Sequence, residues 1–266
     1  MGARERDAWD EGAAEIVAGG ESYAVVRVLK SDAFALTRLV RRGGTLAVHK
    51  LSRVKRIAGV IPMGFLARLL LRREARIHRL LEGIPGIPRI LCRDGDQSFL
   101  HEWIPGDTLN VHPGRVGDDF FPRLLAIVRA VHARGVAYVD LAKDENIVVE
   151  EKTGRPHLID FQVSLDFGGS AGPRRWAGLL LQREDLFHLE KHVRRYRPDL
   201  AGRITTGARR KSVLNRLHGT FVKRPYNILM RRVLGLDRGR PRRPHESEGG
   251  VVGEGGAGSG PGRLPP

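Results

Sequence analysis

Four residues in one stretch have the types and spacing for phosphoryl chemistry: Asp140, Lys143, Asn146 and Asp160. Asp140 and Asn146 flank a short polar loop that leads into the apolar run Ile147 to Val149. The turn Lys152-Thr-Gly-Arg-Pro156 then reverses the chain into His157-Leu-Ile159, which ends at Asp160. A hairpin of this kind brings Asp140, Asn146 and Asp160 to one end of the structure. Hard cations such as Mg²⁺ take oxygen ligands, usually one or two carboxylates plus substrate phosphates, and Asn146 and Asp160 suit that role. Asp140 is then left to orient an attacking hydroxyl and accept its proton. Lys143 can neutralise charge on a transferred phosphoryl group. Such transfer needs mainly positioning and charge compensation from the protein. Asp144 competes with Asp140, but Asp140 directly follows the apolar run Val136 to Val139 and is preferred.

These groups need elements to hold them. The spacing of Leu66, Leu70, Ile77 and Leu81 predicts a helix from about Met63 to Leu81 with one apolar face. Glu74 falls on that face. A buried carboxylate is expensive without a cation, and Lys50 is a candidate partner. The alternative is a half-buried face from which Glu74 reaches water. Before the helix, Tyr23–Val28, Ala35–Val40 and Thr45–Lys50 read as an antiparallel meander. Leu29 to Phe34 reads as the loop between the first two strands, and Arg41-Arg-Gly-Gly44 as the next turn. Two further strands are expected at Arg89–Arg93 and Ser98–Trp103. Helices follow: a stripe of Phe121, Leu124, Leu125, Val128, Val131 and His132 stopped by Gly135, then Trp176–Tyr196, then a basic helix at Val213–Leu234 broken near Pro225. Strands first and helices later make an α+β chain of two lobes: a small antiparallel-sheet lobe with one helix and a larger helical lobe. The expected boundaries are a flexible 1–20, a first lobe at 21–103, a second lobe at 104–236 and a disordered Gly/Pro-rich tail at 237–266.

With one cysteine, Cys92, an intramolecular disulfide is excluded. No apolar stretch reaches the roughly 20 residues of a spanning helix, and the first residues lack a signal-peptide core. The expectation is a cytoplasmic chain, soluble or peripheral on the inner face of a membrane. Of the net charge of +16, residues 201–243 supply 13 − 1 = +12, from thirteen Lys/Arg and Asp237. That block implies an anionic partner or a merely solvated basic face.

Several segments together resemble the protein-kinase-like superfamily. H-A-R-G-V-A-Y-V-D-L-A-K-D-E-N-I-V-V resembles its catalytic loop, and L-I-D-F-Q its magnesium-binding strand end. A-V-H-K resembles the strand with the phosphate-contacting Lys50, and R-R-E-A-R-I-H-R-L-L the helix with its partner Glu74. F-L-H-E-W-I-P-G resembles the inter-lobe hinge, whose backbone would receive adenine near Glu102 and Trp103. The resemblance spans residues 21–200 and implies an ATP- and Mg²⁺-dependent kinase. Within the superfamily the chain resembles small bacterial lipopolysaccharide core (Kdo and heptose) kinases and, more distantly, RIO-type relatives. A sugar of a lipopolysaccharide-type glycolipid is therefore the implied acceptor. A Ser/Thr protein substrate and a nucleotide-binding pseudokinase scaffold are the alternatives. The sequence departs from the common pattern in four places. No glycine occurs from Tyr23 to Arg42, where a G-x-G-x-x-G loop would lie. Asn146 is six residues after Asp140, one more than usual. Gln162 follows Asp160-Phe161, and Tyr138-Val139 precedes Asp140 with no A-P-E downstream. If the strand register shifts, Lys55 takes the place of Lys50.

Region 201–243 would hold such an enzyme on an anionic membrane surface or glycolipid; nucleic acid is a lesser reading, since no motif for it is present. The membrane pattern at Gly59–Arg79 competes with ordinary packing on the sheet. His188 and His192, four apart, read as a solvated or packed helix face rather than a zinc site. The kinase resemblance implies that Asp185, in the same helix, braces the catalytic-loop backbone.

Overall fold

The computed structural model describes residues 14–31, 35–52, 56–57, 61–62, 64–204 and 206. The first lobe is a six-stranded antiparallel sheet in the order β1-β2-β3-β4-β8-β7. Its strands are β1 (Glu15–Ala18), β2 (Glu21–Ser31), β3 (Ala35–Arg42), β4 (Thr45–Ser52), β7 (Ile90–Asp94) and β8 (Ser98–Glu102). The two-residue strands β5 (Arg56–Ile57) and β6 (Ile61–Pro62) pair with each other before helix α1 (Gly64–Leu80).

Three local expectations are corrected. Residues 15–18, which composition places in a loose end, form β1, because Ile16 and Ala18 alternate inward onto Val40, Ala47 and Leu100. Leu29, Lys30 and Ser31 belong to β2 rather than to a loop, since Lys30 pairs with Thr37 and Ser31 with Leu36. Trp103 lies just beyond β8. On α1 the buried face is Ala67, Leu71, Glu74, Ala75, Ile77, His78 and Leu81, so Leu70 is only half-buried. Leu66 carries no described side chain.

The second lobe holds α2 (Phe120–Ala133) and α3 (Gly172–Tyr196), the sheet β12-β11-β9 and the pair β10–β13. These strands are β9 (Gly106–Thr108), β10 (Val136–Ala137), β11 (Ile147–Glu150), β12 (Pro156–Leu158) and β13 (Leu165–Asp166). Helix α2 buries Phe120, Phe121, Leu124, Val128 and Val131 completely. Each such side chain contributes about 1.5–3 kcal/mol. It stops at Gly135, whose φ of 76° is costly for a residue with a Cβ and where a Cβ would meet the Gly168 backbone at 2.7 Å. Helix α3 starts four residues earlier than its apolar pattern suggests, with Pro173 in its first turn. The basic helix at 213–234, the tail, Lys55 and nearly all of region 201–243 lie outside the described residues.

The lobes share one core. Ile77 and Leu81 at the end of α1, with Ile84 and Ile87, join the cluster built by α2, β10, β11 and α3. Arg134 donates to the Leu80 carbonyl at 2.7 Å, and Leu158 N–H to Gly86 O at 2.8 Å. No helix among the described residues is long and apolar enough to cross a membrane.

Candidate active site

Lys50 sits on β4 opposite Phe99 of β8, on the sheet face that α1 covers. Its ammonium contacts Glu74 Oε1 at 2.5 Å and Asp160 Oδ1 at 3.0 Å. The buried carboxylate on α1 therefore takes Lys50 as its cation, and of the two readings open for Glu74 the paired one is observed. Burial alone would lower the Lys50 pKa; Glu74 and Asp160 outweigh it and hold the ammonium above the ordinary lysine value. Burial likewise opposes ionisation of Asp160. Lys50 and Lys30 override it, so this carboxylate stays well below the usual range. Burial pushes the Glu74 carboxyl upward, and Lys50 draws it back.

Asp140, Lys143 and Asn146 form a second group. Lys143 Nζ donates to Asp140 Oδ2 at 2.6 Å, and Asn146 Nδ2 to the same oxygen at 3.1 Å. Lys143 also acts on the Asp160 carboxylate, which links the two groups. Asn146 spends its amide nitrogen on Asp140, which leaves its oxygen for a cation. With the Asp160 carboxylate this makes a hard, all-oxygen donor pair of the kind Mg²⁺ accepts alongside phosphate oxygens. The chemistry of the donor set thus fits that ion.

The loop that carries Asp140 is held from beneath by one helix. Asp185 of α3, fully buried, accepts the Tyr138 N–H on Oδ2 and the Val139 N–H on Oδ1, both at 2.8 Å. Val139 has φ 71°, a left-handed conformation that is strained for a β-branched residue and costs about 1–3 kcal/mol. The two bonds from Asp185 offset that strain. Seven residues on, His192 Nε2 contacts Leu141 O at 2.6 Å. Arg195 and Tyr196 both donate to Asp144 Oδ2, at 2.8 and 2.6 Å. Asp144 is thereby committed to α3, and Asp140 remains the acid beside Lys143 and Asn146. His192 is buried in this contact, and among the described residues no group of three or more His, Cys, Asp or Glu is placed to hold a metal.

Helix α1 is tied to the segment that follows Asp160. Arg73 Nε donates to Ser164 O at 3.0 Å, and Arg76 pairs with Asp166 at 2.7 Å. Ser164 Oγ in turn donates to Tyr138 O at 3.0 Å. A column of rings runs beside these contacts: Tyr138 to Phe161 at 5.1 Å, Phe161 to His78 at 4.9 Å, and His78 to His101 at 5.7 Å. Asp160 itself has φ 60° at the head of this segment. Sequence reasoning missed Lys30, Arg73, Arg76, Ser164 and Tyr196. Arg73 and Arg76 entered only as arginines of the Gly59–Arg79 membrane pattern.

At the hinge, the Glu102 side chain is taken by Arg89, whose Nε donates to it at 2.7 Å. Any contact of Glu102 with a nucleotide is through its backbone, where the carbonyl also receives His101 Nδ1 at 2.8 Å. Trp103 is half-buried beside it.

Two lobes meet over a lysine–glutamate–aspartate cluster, with a braced Asp–Lys–Asn loop below, an arrangement that resembles the protein-kinase-like superfamily. Sequence comparison finds protein kinases that are similar over part of the chain. Serine/threonine-protein kinase C of Synechocystis sp. is 30% identical over 102 residues, 35% of this chain and 19% of that protein. CBL-interacting protein kinase 16 of Oryza sativa is 31% identical over 172 residues, 60% of this chain and 35% of that protein. The chain thus spans between a fifth and about a third of the length of these curated relatives. The Rio2 kinase of Chaetomium thermophilum superposes with a TM-score of 0.49 at 17% identity, covering 65% of this chain and 58% of that one. No protein-family model matches the chain.

Proposed function

We propose that the protein is a kinase that moves the γ-phosphoryl group of ATP to an alcohol acceptor. The observation that carries this reading is the Lys50 ammonium held between Glu74 and Asp160, facing the Asp140–Lys143–Asn146 group. In this reading Lys50 holds the nucleotide phosphates, and the backbone near Glu102 and Trp103 receives the adenine. Asn146 and Asp160 would hold Mg²⁺, which supplies charge neutralisation on the phosphates when bound. The acceptor oxygen bonds to the γ-phosphorus as the bond from that phosphorus to the β–γ bridging oxygen breaks, and ADP leaves. Asp140 takes the hydroxyl proton and passes it to water. Lys143 offsets charge on the transferred group.

The acceptor we propose is a sugar hydroxyl of a lipopolysaccharide-type glycolipid, with a Ser/Thr protein as the alternative. The connection after Asp160 supports the first. Only residues 161–171 join Asp160 to α3, and they are pinned by Arg73, by the β10–β13 pair and by Phe167 N–H to Gly135 O. Such a connection offers no long segment along which an extended peptide would lie. A membrane position is supported by the basic composition of 201–243. It is also supported by the exposed start of α3, where Trp176 and Leu179 stand among Arg174, Arg175 and Arg183. The test is label transfer from ATP to a glycolipid extract and, separately, to a basic protein. Label in the lipid alone supports the glycolipid; label in protein alone transfers the proposal to the Ser/Thr reading.

A further inference from the structure

The hairpin over the phosphate position has no glycine from Glu21 to Arg42. Protein kinases place a glycine-rich loop there, whose backbone lies close over the phosphates. Strands β2 and β3 instead stay paired out to Ser31 opposite Leu36, with register shifts between Val25 and Arg27 and between Val28 and Lys30. The register shows what the ladder presents. Lys30 lies opposite Thr37, and Thr37 lies opposite Lys50. Residues directly opposite share a sheet face, so Lys30, Thr37 and Lys50 stand abreast over the cleft. Both lysines reach the same carboxylate: Lys50 Nζ is 3.0 Å from Asp160 Oδ1, and Lys30 Nζ is 3.5 Å from Asp160 Oδ2.

The two ammoniums differ in their surroundings. The Lys50 side chain is 9% exposed and fixed by Glu74, whereas that of Lys30 is 55% exposed on a flexible four-carbon stem. An ion pair that exposed adds little to stability, so its placement asks for another reason. An anion entering between the sheet and Asp160 meets one cation fixed in the floor and one able to follow it from the strand above. We infer that Lys30 is a second phosphate-binding lysine, which supplies from a side chain the phosphate contact that a glycine-rich loop supplies from its backbone. Its ligand class is the polyphosphate of a nucleoside triphosphate. The inference rests on the phosphotransferase reading, and the experiment below separates the two.

Dissociation constants are measured for MgATP, inorganic tripolyphosphate and adenosine with the full chain, Lys30→Met and Lys30→Arg. Lys30→Met keeps the apolar stem and leaves the buried Lys50–Glu74 pair alone. The expected result is a weakening of about 10- to 100-fold for both MgATP and tripolyphosphate, the loss of one charge-assisted contact. Adenosine binding is unchanged, and Lys30→Arg restores most of the phosphate affinity. Unchanged MgATP binding in Lys30→Met overturns the inference. Tighter binding overturns it too, because Lys30 would then compete with the ligand for Asp160. Equal weakening of adenosine assigns Lys30 a structural role instead. Failure of the wild type to bind either phosphate compound removes the phosphotransferase reading along with the inference, whereas binding insensitive to Lys30 removes the inference alone.

Discussion

At the residue scale the molecule depends on buried charges that are satisfied in pairs. Lys50 and Glu74 are both almost fully buried and 2.5 Å apart. Removing one partner leaves the other charged, unpaired and out of water, which typically costs about 3–5 kcal/mol. Lys50→Met is therefore expected to lower unfolding free energy by about that amount, measured by urea titration, while Lys143→Met, at an exposed head, changes it by less than about 1 kcal/mol. Asp185 is the second such point. Asp185→Ala removes the acceptor of two backbone N–H groups and frees Val139 from its strained conformation. The expected loss is about 2–4 kcal/mol of stability, with turnover reduced further than nucleotide affinity. Equal loss of both would assign Asp185 to general folding. Much of this clustering was legible in the sequence, because it sits in local motifs: Asp140, Lys143, Asn146 and Asp160 lie within one short stretch around a hairpin. Glu74 was legible as a misfit, an acid on an apolar stripe. Lys30 was not, since strand register beyond a turn is set by pairing that no short window reveals.

At the element scale, α1 and α3 act as clamps. Helix α3 holds the Asp140 loop at three places, through Asp185, His192 and the Arg195–Tyr196 pair on Asp144. Helix α1 holds Glu74 toward Lys50 by its outer arginines, which grip the strand after Asp160. Arg76 and Asp166 are a surface pair, so their contribution to stability is about 0–1 kcal/mol. Their effect is expected on the site instead. Arg76→Asp should weaken MgATP binding with little change in melting temperature, and the reversed pair Arg76→Asp with Asp166→Arg should restore it. Weakening that the reversal does not rescue would contradict the clamp. The sequence showed where these helices run but not their rotation. The buried stripe of α1 passes through Ala67, Leu71 and Ala75 while Leu70 stays half-buried, because small alanines let the helix approach the sheet and large leucines drew attention elsewhere. Strand β1 was missed for a related reason: four residues with only Ile16 and Ala18 inward carry too little pattern to stand out.

At the scale of the whole molecule, the two lobes are one cooperative unit, since the end of α1 is built into the core around α2. Buried histidines give that unit a pH dependence. Burial, with Arg38 beside it, lowers His49 to about 3; burial, with His101 and Lys50 near it, lowers His78 to about 3. The unfolded chain protonates them near 6.5, so below that pH the unfolded state binds protons that the folded state does not. Their contribution is fully present above about pH 6.5 and is lost as pH falls toward 3, at about 1.4 kcal/mol per pH unit for each. Asp160, depressed in the folded state, loses its contribution only below the ordinary carboxylate range and does not disturb the window from 6.5 to 5. The melting temperature is expected to fall from pH 7 to pH 5, and the slope to flatten in His49→Gln. A flat profile would contradict the burial of neutral imidazoles.

If Asp160 and its neighbours form a working phosphotransfer site, transfer depends on the Asp160 carboxylate. The most direct measurement is label transfer from ATP with Mg²⁺ by the wild type and by Asp160→Asn, with nucleotide binding followed in parallel and both acceptor classes present. The expected result is transfer by the wild type and a loss of at least about a hundredfold in the variant. Transfer by Asp160→Asn at the wild-type rate, or wild-type ATP binding with no transfer to either acceptor class, would contradict it.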